Sequence, residues 1–146
     1  MMQSLRRSVR FLQLEDIVKF TGRVSHDEVQ RYYSLIDIAP LPRKGLRVCE
    51  LVSPLKPFEA MGAGKVLITS NVEALAEIVN DGETGFVFEK DNTQDLADKL
   101  ELTITNKELR DRIGLNAHNW VKDTHSWEVI SQRVIDVYDK LTEVKQ

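Results

Sequence analysis

The segment that most narrows the fold is Lys65-Val-Leu-Ile-Thr69, which follows directly on Gly62-Ala-Gly64. A run this short and this apolar reads as a strand buried on both faces, which is the condition of strands in a parallel sheet. The glycines before it end a helix. The same cycle recurs along the chain. Ile17, Val18 and Phe20 form a short β-prone run, Val18–Phe20, stopped by Thr21-Gly22. Ser25, with Glu28 three residues on, has the pattern of a capping box for a helix from His26 to about Leu35. That helix puts Val29, Tyr32, Tyr33 and Ile36 on one side, and Asp37-Ile-Ala-Pro-Leu-Pro42 then reads as a buried strand cut off by Pro40 and Pro42.

Upstream, Leu5, Val9 and Leu12, interleaved with Arg6, Arg7 and Arg10, predict an amphipathic helix over Gln3–Leu14. Downstream, Arg43 to Leu51 reads as a loop. Ser53-Pro54 reads as a cap and first turn of a helix to Met61, which begins as late as Pro57 if that proline sets the start. Leu75, Ile78 and Val79 predict a short helix, Asp81 to Gly85 a turn, and Gly85–Phe88 a last strand. Three helices follow, Thr93–Ile104, Lys107–Val121 and Trp127 to about Leu141, the last with a stripe of Trp127, Ile130, Val134, Tyr138 and Leu141. Short strands alternating with helices imply right-handed crossovers, a parallel sheet and helices on both faces. The expected fold is α/β and Rossmann-like, with Phe86, Phe88, Trp120, Trp127 and Tyr138 in the core. At 146 residues, with 42% hydrophobic and 29% charged side chains and no internal repeat, the chain reads as one domain.

Composition removes several classes of function. Interspersed charges summing to −3 offer no field for a polyanion, so nucleic acid is not an expected partner. The single Cys49 cannot form an intrachain disulfide, and one cysteine with three histidines lacks the usual closed zinc set. No apolar run approaches the roughly 20 residues that span a bilayer, and no signal-peptide core follows the N-terminal arginines. These features point to a cytoplasmic chain without structural metal.

In an open parallel sheet, ligands collect where strands end and helices begin. Three loops qualify: Thr21-Gly-Arg-Val-Ser25, Pro42 to Pro54, and Ser70 to Glu73. The second carries Arg43, Lys44, Arg47 and Ser53 and leads to Lys56 and Glu59. A phosphate suits such a helix start, and a ribose diol would supply two donors to a Glu59 carboxylate packed toward the sheet. The plainer readings are a surface Glu59, a solvated Lys56, a solvated Arg43–Lys44 loop, Arg23 paired with Asp27 or Glu28, and a Gly22 kept for a positive φ. His26, His118 and His125 have no acidic or thiol partner at catalytic spacing and read as structural, and Cys49 lacks a histidine to activate it. No Gly-x-Gly-x-x-Gly follows a strand, so a dinucleotide-dependent oxidoreductase is disfavoured.

Taken in order, Val18-Lys-Phe-Thr-Gly-Arg-Val24, Asp37-Ile-Ala-Pro-Leu-Pro42, Ser53-Pro-Leu-Lys-Pro-Phe-Glu-Ala-Met-Gly-Ala-Gly64, Glu77-Ile-Val-Asn-Asp-Gly-Glu-Thr-Gly-Phe86 and Ser126-Trp127 resemble the carboxyl-terminal domain of GT-B glycosyltransferases of the retaining group 1 (GT4-like) family. The resemblance implies a domain that binds a UDP- or GDP-sugar donor, with the acceptor on a separate amino-terminal domain. Glu59 matches the second glutamate of the E-x7-E motif, which holds the donor ribose. Leu51 stands where the first glutamate is expected. Glu50, one place early, could replace it only if the loop shifts by one residue. Ser53 and Lys56, at the start of the Ser53-Pro-Leu-Lys-Pro57-Phe58-Glu59 stretch, are then the donor-phosphate candidates, and Gly22, Arg23 and Val24 match the loop beside the base.

The family domain begins one strand earlier and carries a basic pair that this chain does not match. The resemblance therefore implies a fragment that binds donor, needs no metal and is inactive alone, working in the cytoplasm or at the inner membrane face. A non-catalytic nucleotide-binding or protein-interaction domain is the alternative, and an exposed sheet edge would favour self-association.

Overall fold

A computed structural model of the chain describes residues 2–143. Three parallel strands, β1 (Ile38–Leu41), β2 (Val66–Ser70) and β3 (Phe86–Phe88), form one sheet in the order β1-β2-β3. Ile38 faces Val66, and Ile68 faces Phe86. Among the described residues eight helices accompany the sheet: α1 (Met2–Phe11), α2 (His26–Ser34), α3 (Arg47–Leu51), α4 (Lys56–Gly62), α5 (Glu73–Ala76), α6 (Thr93–Thr105), α7 (Lys107–His125) and α8 (Trp127–Glu143).

All of β2 is buried, as its apolar run requires. Strand alternation sends Leu67 to one face, where it packs with Met61 of α4, Val72 just before α5, Leu75 of α5 and Ala117 of α7. Val66 and Ile68 point to the other, where they meet Phe86, Phe88 and Ile113 beside Leu96 and Leu100 of α6. The Rossmann-like α/β reading holds, with the sheet covered on both faces.

Several boundaries differ from the sequence expectation. Val18–Phe20 is not a strand: the Val18 amide donates to the Leu14 carbonyl at 2.8 Å, and the Phe20 ring lies 4.8 Å from the Arg6 guanidinium. A strand exists only through its ladder, and these residues meet no neighbouring strand among the described residues. Pro40 does not terminate β1 but sits within it, exposed. This is tolerated because β1 is the sheet edge, where a missing N–H interrupts no second ladder.

Arg47–Leu51, expected as loop, is a helical turn, since no glycine or proline interrupts it and Cys49 packs on the core. Ser53 is not a cap: α4 has Leu55 as its N-cap, and the Glu59 amide bonds the Leu55 carbonyl at 3.2 Å. Had Ser53 capped the helix, the first helical bond would need an N–H from Pro57, which has none. With the start at Lys56, that proline falls harmlessly in the first turn. The short helix expected around Leu75 is α5, and Ile78 and Val79 lie beyond it, still buried.

The apolar stripe of α8 is not core. Trp127 is 78% exposed and Tyr138 66%, because α8 meets α7 and the stripe finds no second layer among the described residues. No helix of the described residues is long and apolar enough to cross a membrane.

Candidate functional site

The strands end at Leu41, Ser70 and Phe88, and the loops that leave them are fastened to one another. The Arg43 amide donates to Ser70 Oγ at 3.0 Å, and its guanidinium donates to the Val52 carbonyl at 2.8 Å. Gly45 donates to Asp91 Oδ2 at 3.2 Å. Lys90 donates its amide to Asn71 Oδ1 at 2.8 Å.

Glu50 is the centre of this fastening. Its Oε2 accepts the Glu73 amide at 2.8 Å, and its Oε1 meets Lys90 Nζ at 2.6 Å. The hydrogen bond from Lys90, then the one from the Glu73 amide, holds this carboxyl below the usual carboxylate range. Both oxygens are engaged in tying α3 to the loops after β2 and β3. The geometry therefore gives Glu50 a fastening part, while its neighbour Leu51 is exposed. Lys90 could not be anticipated, because the pair joins residues 40 apart in sequence.

Glu59 is half-buried at the end of the first turn of α4. The Tyr33 hydroxyl, from α2, donates to its Oε2 at 3.4 Å. Burial first, then the Glu59 charge and the hydrogen bond itself, raise the Tyr33 hydroxyl above its ordinary value. Tyr33 read from sequence only as one residue of an apolar helix face. The one available hint was that a tyrosine turned inward needs a partner for its hydroxyl.

Tyr33 also walls a hollow of about 200 Å³ with Thr21, Val24, Val29, Tyr32 and Ile36. Gly22, between the lining residues Thr21 and Val24, has φ +73°. A second hollow of about 190 Å³ is lined by Leu41, Pro42, Arg43, Pro54 and Lys56. Lys56 and Glu59 are three residues apart on α4 and so share a face. The structure thus brings Val24, Lys56 and Glu59 to one region, with Arg43 and Tyr33 added.

Other expected site residues fall elsewhere. Ser53 is exposed and precedes the helix, whereas Pro57 is buried. Phe58 stacks on His125 at 4.8 Å and on Trp120 at 6.5 Å, so its side chain serves packing. Arg23 makes no ion pair among the described residues, and the Ser25 hydroxyl donates to the Glu28 carboxylate at 2.8 Å rather than capping α2. His118 Nδ1 donates to the Gly62 carbonyl at 2.6 Å, a structural use, as is the stacking of His125. Among the described residues no three His, Cys, Asp or Glu side chains converge as a metal site.

Comparison with known proteins places this geometry in context. The family model described as glycosyl transferases group 1 matches residues 1–120. An uncharacterized glycosyltransferase of Methanocaldococcus jannaschii is 32% identical over 126 residues, 86% of this chain and 34% of that relative. The chain therefore spans about a third of the curated relatives it matches. The crystal structure of the C-terminal domain of a glycosyl transferase group 1 family protein from Francisella tularensis superposes with a TM-score of 0.74 at 25% identity, covering 86% of this chain and 63% of that one. The Anabaena protein HepE, solved in complex with UDP-glucose, shares the fold at a TM-score of 0.76 and 22% identity, covering 95% of this chain and 36% of that one.

Proposed function

This chain belongs to the group 1 glycosyl transferases, and from that premise we propose that it binds the nucleotide-sugar donor, a UDP- or GDP-sugar, of a retaining glycosyl transfer. The observation that carries the reading is Glu59, a half-buried carboxylate bonded by the hydroxyl of Tyr33, which walls one hollow, and three residues along α4 from Lys56, which lines the other. A carboxylate removed from water needs donors, and a ribose diol supplies two. Tyr33 occupies Oε2 and leaves Oε1 as the acceptor for a ribose hydroxyl.

The apolar hollow of Val24 and Tyr33 suits a base. The hollow of Arg43 and Lys56 suits the diphosphate, whose growing negative charge as the sugar departs is offset by fixed cations. That arrangement needs no metal. The acceptor is assigned to a further domain, so the 146 residues are read as one wall of a cleft. Holding donor and acceptor together contributes about 7–11 kcal/mol to such reactions, so the chain alone should give no acceptor-dependent nucleotide release above background. The proposed setting is the cytoplasm or the inner membrane face. The edge of β1 and the uncovered stripe of α8 extend the proposal to self-association.

Calorimetric titration of UDP, GDP and their glucose or mannose conjugates tests the reading. Glu59→Gln should weaken binding by about 1.5–3 kcal/mol, the scale of a hydrogen bond to a charged group. Equal affinity in a folded variant would remove Glu59 from the site. The second reading, a non-catalytic nucleotide-binding or protein-interaction domain, is favoured by Leu51 and by the complete engagement of Glu50. It predicts that the conjugates bind no differently from the free nucleotides.

A further inference from the structure

Tyr33 links Glu59 to the apolar hollow, which Glu59 itself does not line. Its ring is a wall of that hollow, shared with Val24 and Ile36, and its hydroxyl ends on Glu59 Oε2 at 3.4 Å. Among the described residues no other donor bonds this carboxylate. Tyr33 and Glu59 lie on different helices, 26 residues apart, so their contact is a property of how α2 and α4 pack.

We propose that Tyr33 is a positioning residue for ribose recognition: by holding Oε2 of Glu59 it fixes the carboxylate plane and presents Oε1 to a ribose hydroxyl. This rests on the donor-binding reading of Glu59. A glutamate loses substantial rotamer freedom when it is ordered. A tyrosine, with two rotatable bonds and a ring packed into the wall, is a donor already held in place. Its bond to Glu59 exceeds the usual O–H···O length of about 2.5–3.0 Å, as hydrogen bonds in unliganded sites often do before ligand draws them together. The phenol is protonated at neutral pH in any case, and burial moves its titration further from that range.

The experiment titrates UDP and GDP, and their 2′-deoxy and 3′-deoxy counterparts, into the 146-residue chain and its Tyr33→Phe, Glu59→Gln and doubly substituted variants. Phenylalanine keeps the ring and so the shape of the hollow, and unfolding midpoints establish that each variant is folded. Tyr33→Phe should weaken the ribonucleotides about three- to tenfold, the net value of one hydrogen bond. It should cost nothing further in Glu59→Gln, and almost nothing with the deoxynucleotide that has already lost the partner of Glu59. A loss of the same size for ribo- and deoxynucleotides, or one that adds fully to that of Glu59→Gln, would overturn the positioning role in favour of simple packing. If instead the unsubstituted chain fails to distinguish ribo- from deoxynucleotides, the ribose role of Glu59 fails first, and the inference falls with it.

Discussion

At the scale of single residues, Glu50 shows how a carboxylate beside a candidate site can be committed to architecture. Its native pKa is depressed, so the stabilisation it gives is fully present above the ordinary value of 4.5 and is lost as pH falls through the lower native one. Glu50→Gln should therefore lower the melting temperature at neutral pH, and the gap to the unsubstituted chain should close on acidification below that range. A gap constant from neutral to acid conditions would mean that the charge contributes nothing. Gly114 makes a second case. A Cβ there would overlap the Gly64 carbonyl oxygen, where α7 crosses the end of α4. Alanine gains about 1 kcal/mol in helix propensity, but overpacking against backbone costs about 1–3 kcal/mol, so Gly114→Ala should be net destabilising in urea unfolding.

At the scale of elements, the joint between α6 and α7 rests on Asn106, which follows one helix and caps the next. Its side chain accepts from the Leu109 amide at 2.9 Å, while Arg110 donates to the Thr103 and Ile104 carbonyls at 2.8 and 2.9 Å. Asn106→Ala should cost about 0.5–2 kcal/mol and Asn106→Gly only a few tenths, a contrast that unfolding midpoints can read. The same scale explains the fate of Val18–Phe20. Its β propensity is real, but propensity without a ladder partner is weaker than the local turn closed by Leu14 and the ring contact with Arg6. In α8 the helical period is obeyed, yet the period says only that a face exists, not that something covers it.

At the scale of the whole molecule, loops from three strand ends are tied to one another, and Tyr33 joins α2 to α4. Nucleotide should therefore slow amide exchange at Gly22 to Ser25 and at the Ser53 to Phe58 segment, leaving α6, α7 and α8 little changed. Protection confined to those three helices would place the ligand elsewhere. The uncovered apolar residues of α8 and the edge of β1 predict a sedimentation coefficient that rises with concentration, and a charged residue in place of Val134 should suppress that rise.

The local rules were legible because they depend on neighbours in sequence. The apolar run of β2, the glycines before it and the spacing of α6 and α7 each state a preference that no distant contact needed to supply. The motif around Glu59 also stood in the sequence, as did the grouping of Arg43 and Lys56 about the second loop. What only tertiary structure decided were the pairings across long separations. Glu50 with Lys90, Tyr33 with Glu59 and Gly64 against Gly114 arise from the distance between packed elements, which a one-dimensional pattern does not contain. The start of α4 lay between these cases, since the sequence contained the decisive Pro57, but its effect appears only once the helical bond that it cannot donate is traced back to Ser53.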